Sequence, residues 1–170
     1  MSKLFTPVSY NEGDLVSYEY SSATSIKTGS WVKIKSFSNE KTYVQPALVA
    51  GGGTLSFAGS AGSLQYRQNP HLLGWFPVYK DSQDPEATSL TDATISNGDK
   101  IIGFFGKEFE LDFSYTSISA IGSASQGKGL VVATNSKFTI YGDGLDDGNT
   151  ATVAIVVATI NNILRCQMVH

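Results

Sequence analysis

The chain has 170 residues, which is room for one domain, or one domain with an arm, because domains cluster at roughly 100 to 200 residues. Hydrophobic residues make up 41% and aromatics 11% of it, enough for a packed core, and this excludes a disordered chain. Only 16% of residues are charged and the net charge is -3, with lysines and arginines scattered, so the surface is rich in hydroxyls and lacks the basic field that nucleic acid requires.

The first residues, Met1 to Pro7, lack the apolar stretch of roughly 7 to 15 residues that a secretory signal carries, and no window approaches the roughly 18 apolar residues of a membrane span. The lone Cys166 has no disulfide partner. These features lead us to expect folding in a reducing cytoplasm and no membrane partner. Residues 1–10 read as an N-terminal arm and residues 11–170 as a single β domain. Within the arm, Leu4 and Phe5 are apolar and Pro7 holds the backbone extended, a form that is cheap to order on binding. Leu4, Phe5 and Pro7 are therefore the expected partner-contact residues. The same residues also fit a first strand packed on the chain's own core, a common way to fix a terminus.

Strand candidates follow at Leu15 to Tyr20, Ser30 to Phe37, Thr42 to Leu48 and Leu73 to Tyr79. They are bounded by turn groups such as Asn11-Glu12-Gly13-Asp14, Thr28-Gly29 and Ser38-Asn39-Glu40. Gly51-Gly52-Gly53, Gly59 and Gly62 interrupt that rhythm and read as a long loop or an edge that meets another chain. Asp84-Pro85-Glu86-Ala87 supplies a capping residue before a proline, the best start for a short helix. Glu12-Gly13-Asp14-Leu15-Val16 and Asn97-Gly98-Asp99-Lys100-Ile101 look alike and each launches a strand, a pairing that suggests two related halves.

Lys100 to Phe105 and Glu108 to Phe113 read as a hairpin around Gly106-Lys107. Phe109, Leu111 and Phe113 fall on a core face and Glu108, Glu110 and Asp112 on a solvated one. Leu130 to Thr134 and Lys137 to Tyr141 are further strands. Last come Thr152 to Ile160 and Ile163 to Val169 around Asn161-Asn162, a pair that tolerates the positive φ of a type I′ turn. Pairing Ile160 with Ile163 places Ile155, Val157 and Thr159 opposite Met168, Cys166 and Leu164 on the core face. Many short strands at this spacing, without an apolar stripe of helical period, mean a mainly β protein, a compact antiparallel barrel or sandwich with glycine-rich loops.

Constellations that carry chemistry are few. Gly122 to Gly129 nearly matches a phosphate loop, but it ends on Gly129 where a hydroxyl belongs, and Leu130-Val131-Val132 favours strand where that motif needs a helix. Asp143 to Asn149 is acidic, yet Leu145 and Ala154 occupy ligand positions of the helix-loop-helix calcium motif. Glu108, Glu110 and Asp112 share a strand face as glycosidase carboxylates do, and equally as any solvated face does. His71 and His170 have no second histidine nearby, and Cys166 falls on an apolar face that disfavours the thiolate. The expectation is no catalytic residue, no metal and no cofactor, hence not an enzyme.

The order of the last 70 residues resembles that of tailed-bacteriophage capsid decoration, or cement, proteins. It runs from Asn97-Gly98-Asp99-Lys100 through Phe109-Glu110-Leu111 and Gly129-Leu130-Val131-Val132 to Gly148 and a closing hairpin that ends in Ile163-Leu164-Arg165-Cys166-Gln167-Met168-Val169. The resemblance implies a compact β-barrel or β-tulip with an extended N-terminal arm, made in the host cytoplasm and located on the capsid surface of a virion. It further implies a homotrimer that bridges subunits of the major capsid protein. The alternative is a sugar-binding or receptor-binding β module of a phage fibre or tail, which requires exposed aromatics from Trp31 or the Trp75 segment.

Overall fold

The computed structural model describes residues 5–47, 75–84, 93–116, 118, 122, 124, 126–132, 138–142 and 153–168. Among the described residues the chain is mainly β. Its strands are β1 (Phe5–Ser9), β2 (Leu15–Tyr20), β3 (Ile26–Lys27), β4 (Trp31–Ser38), β5 (Lys41–Pro46), β6 (Trp75–Lys80), β7 (Thr94–Ile95), β8 (Lys100–Phe104), β9 (Glu108–Asp112), β10 (Gly129–Val132), β11 (Phe138–Gly142), β12 (Ala154–Ile160) and β13 (Ile163–Met168). Among the described residues, helix is confined to single 3-10 turns such as Glu12–Asp14 and Phe113–Tyr115.

The strands divide into a closed barrel, β2-β5-β4-β6-β8, and a six-stranded sheet in the order β1-β9-β13-β12-β10-β11. A short β3-β7 pair forms its own two-stranded sheet, and its Ile26 and Ile95 pack into the barrel core. The barrel is antiparallel except at one seam, where β2 runs parallel to β5 through Glu19↔Tyr43 and Tyr20↔Val44. Two cores follow from the period-two alternation of the barrel strands. Tyr20, Val32, Val44, Phe76, Val78 and Ile101 fill the inside of the barrel. Trp31, Tyr79 and Phe104, from β4, β6 and β8, instead join Phe5, Phe109, Leu111, Leu130, Val156, Leu164 and Cys166 in a second core shared with the sheet.

Glycine is required where rings crowd the barrel. A Cβ on Gly103 would lie 2.7 Å from the Phe76 ring and 2.8 Å from that of Tyr18, so this position admits no side chain without displacing a packed aromatic.

Two expectations need correction. Lys100 to Phe105 and Glu108 to Phe113 do not pair with each other. β8 pairs with β2 and β6 in the barrel, whereas β9 pairs with β1 and β13 in the sheet. The chain crosses between layers at Gly106, held by Phe105 N–H donating to Asp14 O and Lys107 N–H to Ser9 O, both at 2.8 Å. A Cβ there would come within 2.6 Å of the Phe104 ring and 2.7 Å of Ser9 O.

The C-terminal hairpin forms at Asn161-Asn162, but a bulge between Val156 and Ala158 shifts its register. Val156, not Val157, opposes Cys166, and Ala154 opposes Met168. The buried face is Ala154, Val156, Leu164, Cys166 and Met168, while Ile155 and Val157 are half-buried. The periodicity argument assumed an unbroken ladder, and one extra residue reverses the face of everything beyond it. Of the two turn residues Asn161 takes positive φ, 55°. A turn with positive φ at both central residues occurs instead at Asn39 (51°) and Glu40 (61°), between β4 and β5.

Within residues 1–10, which the sequence reads as an arm or equally as a first strand on the chain's own core, Phe5–Ser9 is the edge strand β1 of the sheet, paired with β9 through Phe5↔Leu111, Thr6↔Glu110 and Pro7↔Phe109. Phe5 is fully buried, its ring 5.7 Å from that of Phe104 and 5.0 Å from that of Phe109. Leu4 lies outside the described residues, as do Gly51 to Leu64, the helix start after Asp84, His71, His170 and the acidic loop Asp143 to Asn149.

Candidate interaction surface

The β4–β5 hairpin is longer than the barrel that holds it. On one flank β4 pairs with β6 only over Trp31 to Lys33, and on the other β5 pairs with β2 only at Tyr43 and Val44. The two strands continue together past the rim through Ser36↔Tyr43, Phe37↔Thr42 and Ser38↔Lys41, and every residue of β4 from Ile34 onward is exposed. The outer half is a two-stranded finger closed by the Asn39-Glu40 turn.

The finger has an apolar face. Directly opposed residues share a face, and Val32↔Pro46, Ile34↔Val44 and Phe37↔Thr42 are such pairs. Val32 and Val44 are buried in the barrel, whereas Ile34 is 44% and Phe37 71% exposed. The core face of the barrel thus runs outward along the finger and ends uncovered at Phe37. A register shift at Lys35 makes this possible. Strict alternation would place Phe37 with Lys33 and Lys35; the bulge turns it onto the side of Ile34.

Beside the finger lies an open notch of about 350 Å³, lined by Ser17, Tyr18 and Glu19 of β2, Glu40, Lys41 and Thr42 of the finger, and Asp81 and Lys100. Lys41 Nζ donates to Glu19 across it at 3.1 Å, and this bond holds the ammonium above its ordinary pKa. The Tyr18 ring packs 4.9 Å from Phe76, and burial raises its phenol. The notch holds hydroxyls, carboxylates and ammonium groups together, without an excess strong enough to select one ion.

The other sequence candidates are dispersed. Glu108 and Glu110 lie on the outer face of the sheet, where Arg165 pairs with them at 3.0 and 3.9 Å. Asp112 is not on that solvated face in effect: it is buried, and its carboxylate caps the following 3-10 turn by accepting from Ser114 N–H at 2.8 Å. The three acids therefore do not converge on a cleft. Cys166 is buried, and desolvation pushes its thiol far above the ordinary range. Gly129–Val132 is a strand, so the phosphate-loop context is missing. Trp31 is 1% exposed and offers no face for stacking on a sugar.

Phe5 and Pro7 are covered by the chain's own residues. The sequence marks both strands of the finger, Ser30 to Phe37 and Thr42 to Leu48, and the turn group between them, but not its projection beyond the barrel. Its unpaired length is a property of the neighbours β2 and β6, which no local pattern in residues 31–46 encodes. Among the described residues no three His, Cys, Asp or Glu side chains converge as a metal site would, and no helix is long and apolar enough to cross a membrane. No family model, curated protein or solved structure matches the chain.

Proposed function

We propose that this protein is a virion structural component that decorates a phage capsid and stabilises it by bridging subunits of the major capsid protein. It is made in the host cytoplasm and acts as a homotrimer, by contact rather than catalysis, with no cofactor. The observation that supports this reading is the finger. A hairpin that projects beyond its barrel with Ile34 and Phe37 uncovered carries an anchor of the kind that dominates protein interfaces, a large apolar ring beside polar residues. The two-core body behind it gives such an anchor a rigid base, which limits the entropy lost on docking. The residue order of the last 70 positions supports the choice of a capsid shell as the partner.

Purified particles decide the matter. Under this reading the chain co-purifies with them in a fixed ratio to the shell protein, and particles stripped of it lose DNA at a lower temperature and regain resistance when it is added back. A chain that is absent from particles, or present without fixed stoichiometry, overturns the reading.

A further inference from the structure

The barrel has one weak junction. β2 meets β8 over five residue pairs and β4 meets β5 over six, while β4–β6 and β6–β8 share three each, all antiparallel. β2 and β5 meet over two, Glu19↔Tyr43 and Tyr20↔Val44, and in parallel, which is slightly the weaker pairing per residue. On the N-terminal side of these two pairs the strands separate, and Ser17, Tyr18, Lys41 and Thr42 line the notch instead of pairing across it. The notch is therefore the unpaired end of the seam. Two lysines of the finger reach over to β2 and its end: Lys35 Nζ donates to Ser21 O and Oγ, each at 3.1 Å, and Lys41 Nζ donates to Glu19 Oε2 at 3.1 Å. Their partners bracket the two-residue pairing, and both lysines are exposed. Exposed contacts of this kind are weak and are screened by salt.

From this arrangement we infer that the β2–β5 seam is a latch, closed by Lys41 on Glu19 and Lys35 on Ser21, along which the barrel opens to release the finger. With the seam open, β4 and β5 stay paired with each other and keep one attachment to the barrel, the three pairs of β4 with β6 from Trp31↔Pro77 to Lys33↔Trp75. The finger then swings on that root. Tyr20 and Val44, fully buried behind the seam, oppose the opening, so the open form is a minor state of the folded chain, of the kind that native-state hydrogen exchange detects. The closed latch is the form that presents Ile34 and Phe37 on a rigid base. The inference does not rest on the capsid reading, since it concerns the chain alone.

Amide hydrogen exchange of the full chain, resolved by residue in NMR spectra and corrected for intrinsic rates, tests this at two neighbouring groups. Tyr20 N–H donates to Asp99 O at 2.9 Å on the β8 side, whereas Ser21 N–H donates to Val44 O at 2.8 Å across the seam. Unfolding of the whole barrel frees both; opening of the seam frees Ser21 alone. In the wild type Ser21 should exchange at least about tenfold faster than Tyr20, as a local opening does relative to a global one. The double variant Lys35→Met with Lys41→Met should speed Ser21 by a further factor of about two to five, the range that loss of exposed charge contacts allows. High salt should act on the wild type in the same direction and leave the double variant unmoved. Tyr20 should keep its rate in each case. Equal protection of Tyr20 and Ser21 in the wild type overturns the inference. So does a double variant in which Ser21 exchanges as in the wild type, because Ser21 would then merely fray at the strand end without control by the lysines. A double variant that speeds both amides alike overturns it too, since the whole barrel would be opening.

Discussion

Glu40 occupies the left-handed region at φ 61°, where an L side chain costs about 1 to 2 kcal/mol. Glycine removes that strain and returns about 0.5 to 1 kcal/mol of it as extra freedom in the unfolded chain. Glu40→Gly should therefore stabilise by about 0.5 kcal/mol, read as a higher denaturation midpoint; a lower midpoint would show that the Glu40 side chain makes contacts worth more than the strain. The bulge in β12 has a sharper consequence. Val156 is fully buried opposite Cys166 whereas Val157 is half-buried, so Val156→Asp should cost about 3 kcal/mol and Val157→Asp about 1 kcal/mol in chemical denaturation. Equal costs would restore the unbroken register. This is also where sequence reading met its limit. Val153 to Ile160, apart from Thr159, are so uniformly hydrophobic that either register leaves a nonpolar face, and nothing in them marks the extra residue. Asp99 sets a pH dependence. Its carboxyl is held below the usual carboxylate range, first by the Ser96 N–H it accepts at 2.8 Å and then by Lys80. A depressed folded pKa contributes stability that is present above the unfolded value and disappears as pH falls through the folded one. Thermal melts across the acid range should show a shallower decline in Asp99→Asn than in the wild type; parallel curves would remove Asp99 from the account.

At the scale of elements, the strands were legible and, outside the C-terminal hairpin, most of their partners were not. Alternation in Glu108-Phe109-Glu110-Leu111 is plain in the sequence and correct in the fold, with Phe109 and Leu111 buried. What joins β8 to β9 is a change of layer, and the sequence shows only a two-residue gap of the length a hairpin would use. The reason lies in Phe104 and Phe105. Phe104 packs in the core shared with the sheet, while Phe105 lies 4.8 Å from Phe76 beside the barrel core. Adjacent large rings with separate destinations force the chain across, and Gly106 is the residue small enough to pass. The turns that launch the two paired barrel strands show the opposite case, chemistry that sequence does reveal. Asp14 accepts from Asn11 N–H and Asp99 from Ser96 N–H, each at 2.8 Å, so the likeness of the two segments is one turn used twice at the ends of β2 and β8. The N-terminal strand gives the prediction at this scale. Phe5 fills a fully buried site between Phe104 and Phe109, and Phe5→Ala should cost about 3 to 5 kcal/mol. A variant that melts like the wild type would mean that Phe5 contributes nothing to the core.

Across the whole molecule, the barrel and the sheet share a core rather than a surface. Trp31, Tyr79 and Phe104 leave barrel strands and bury their rings among residues of the sheet. Three aromatic side chains of about 150 to 250 Å² at about 25 cal/mol per Å² amount to roughly 10 to 20 kcal/mol of apolar burial, an upper figure because unfolded chains already cover part of that surface. That is of the same order as the whole stability of an ordinary domain, about 5 to 15 kcal/mol, so a barrel that lost its sheet would lose the free energy that keeps it folded. The two layers should therefore unfold together. The chain has two tryptophans, so in a Trp75→Phe background the emission reports Trp31, at the junction of the layers. Its melting curve should coincide with the loss of β signal in circular dichroism, and the calorimetric and van't Hoff enthalpies should agree. Val156→Asp, made in the sheet, should shift both curves by the same amount. Separate transitions, or a Trp31 signal indifferent to Val156→Asp, would mean that the barrel stands alone. The finger would then rest on β4 and β5 without the second core behind them, and the rigidity invoked for docking would have no source.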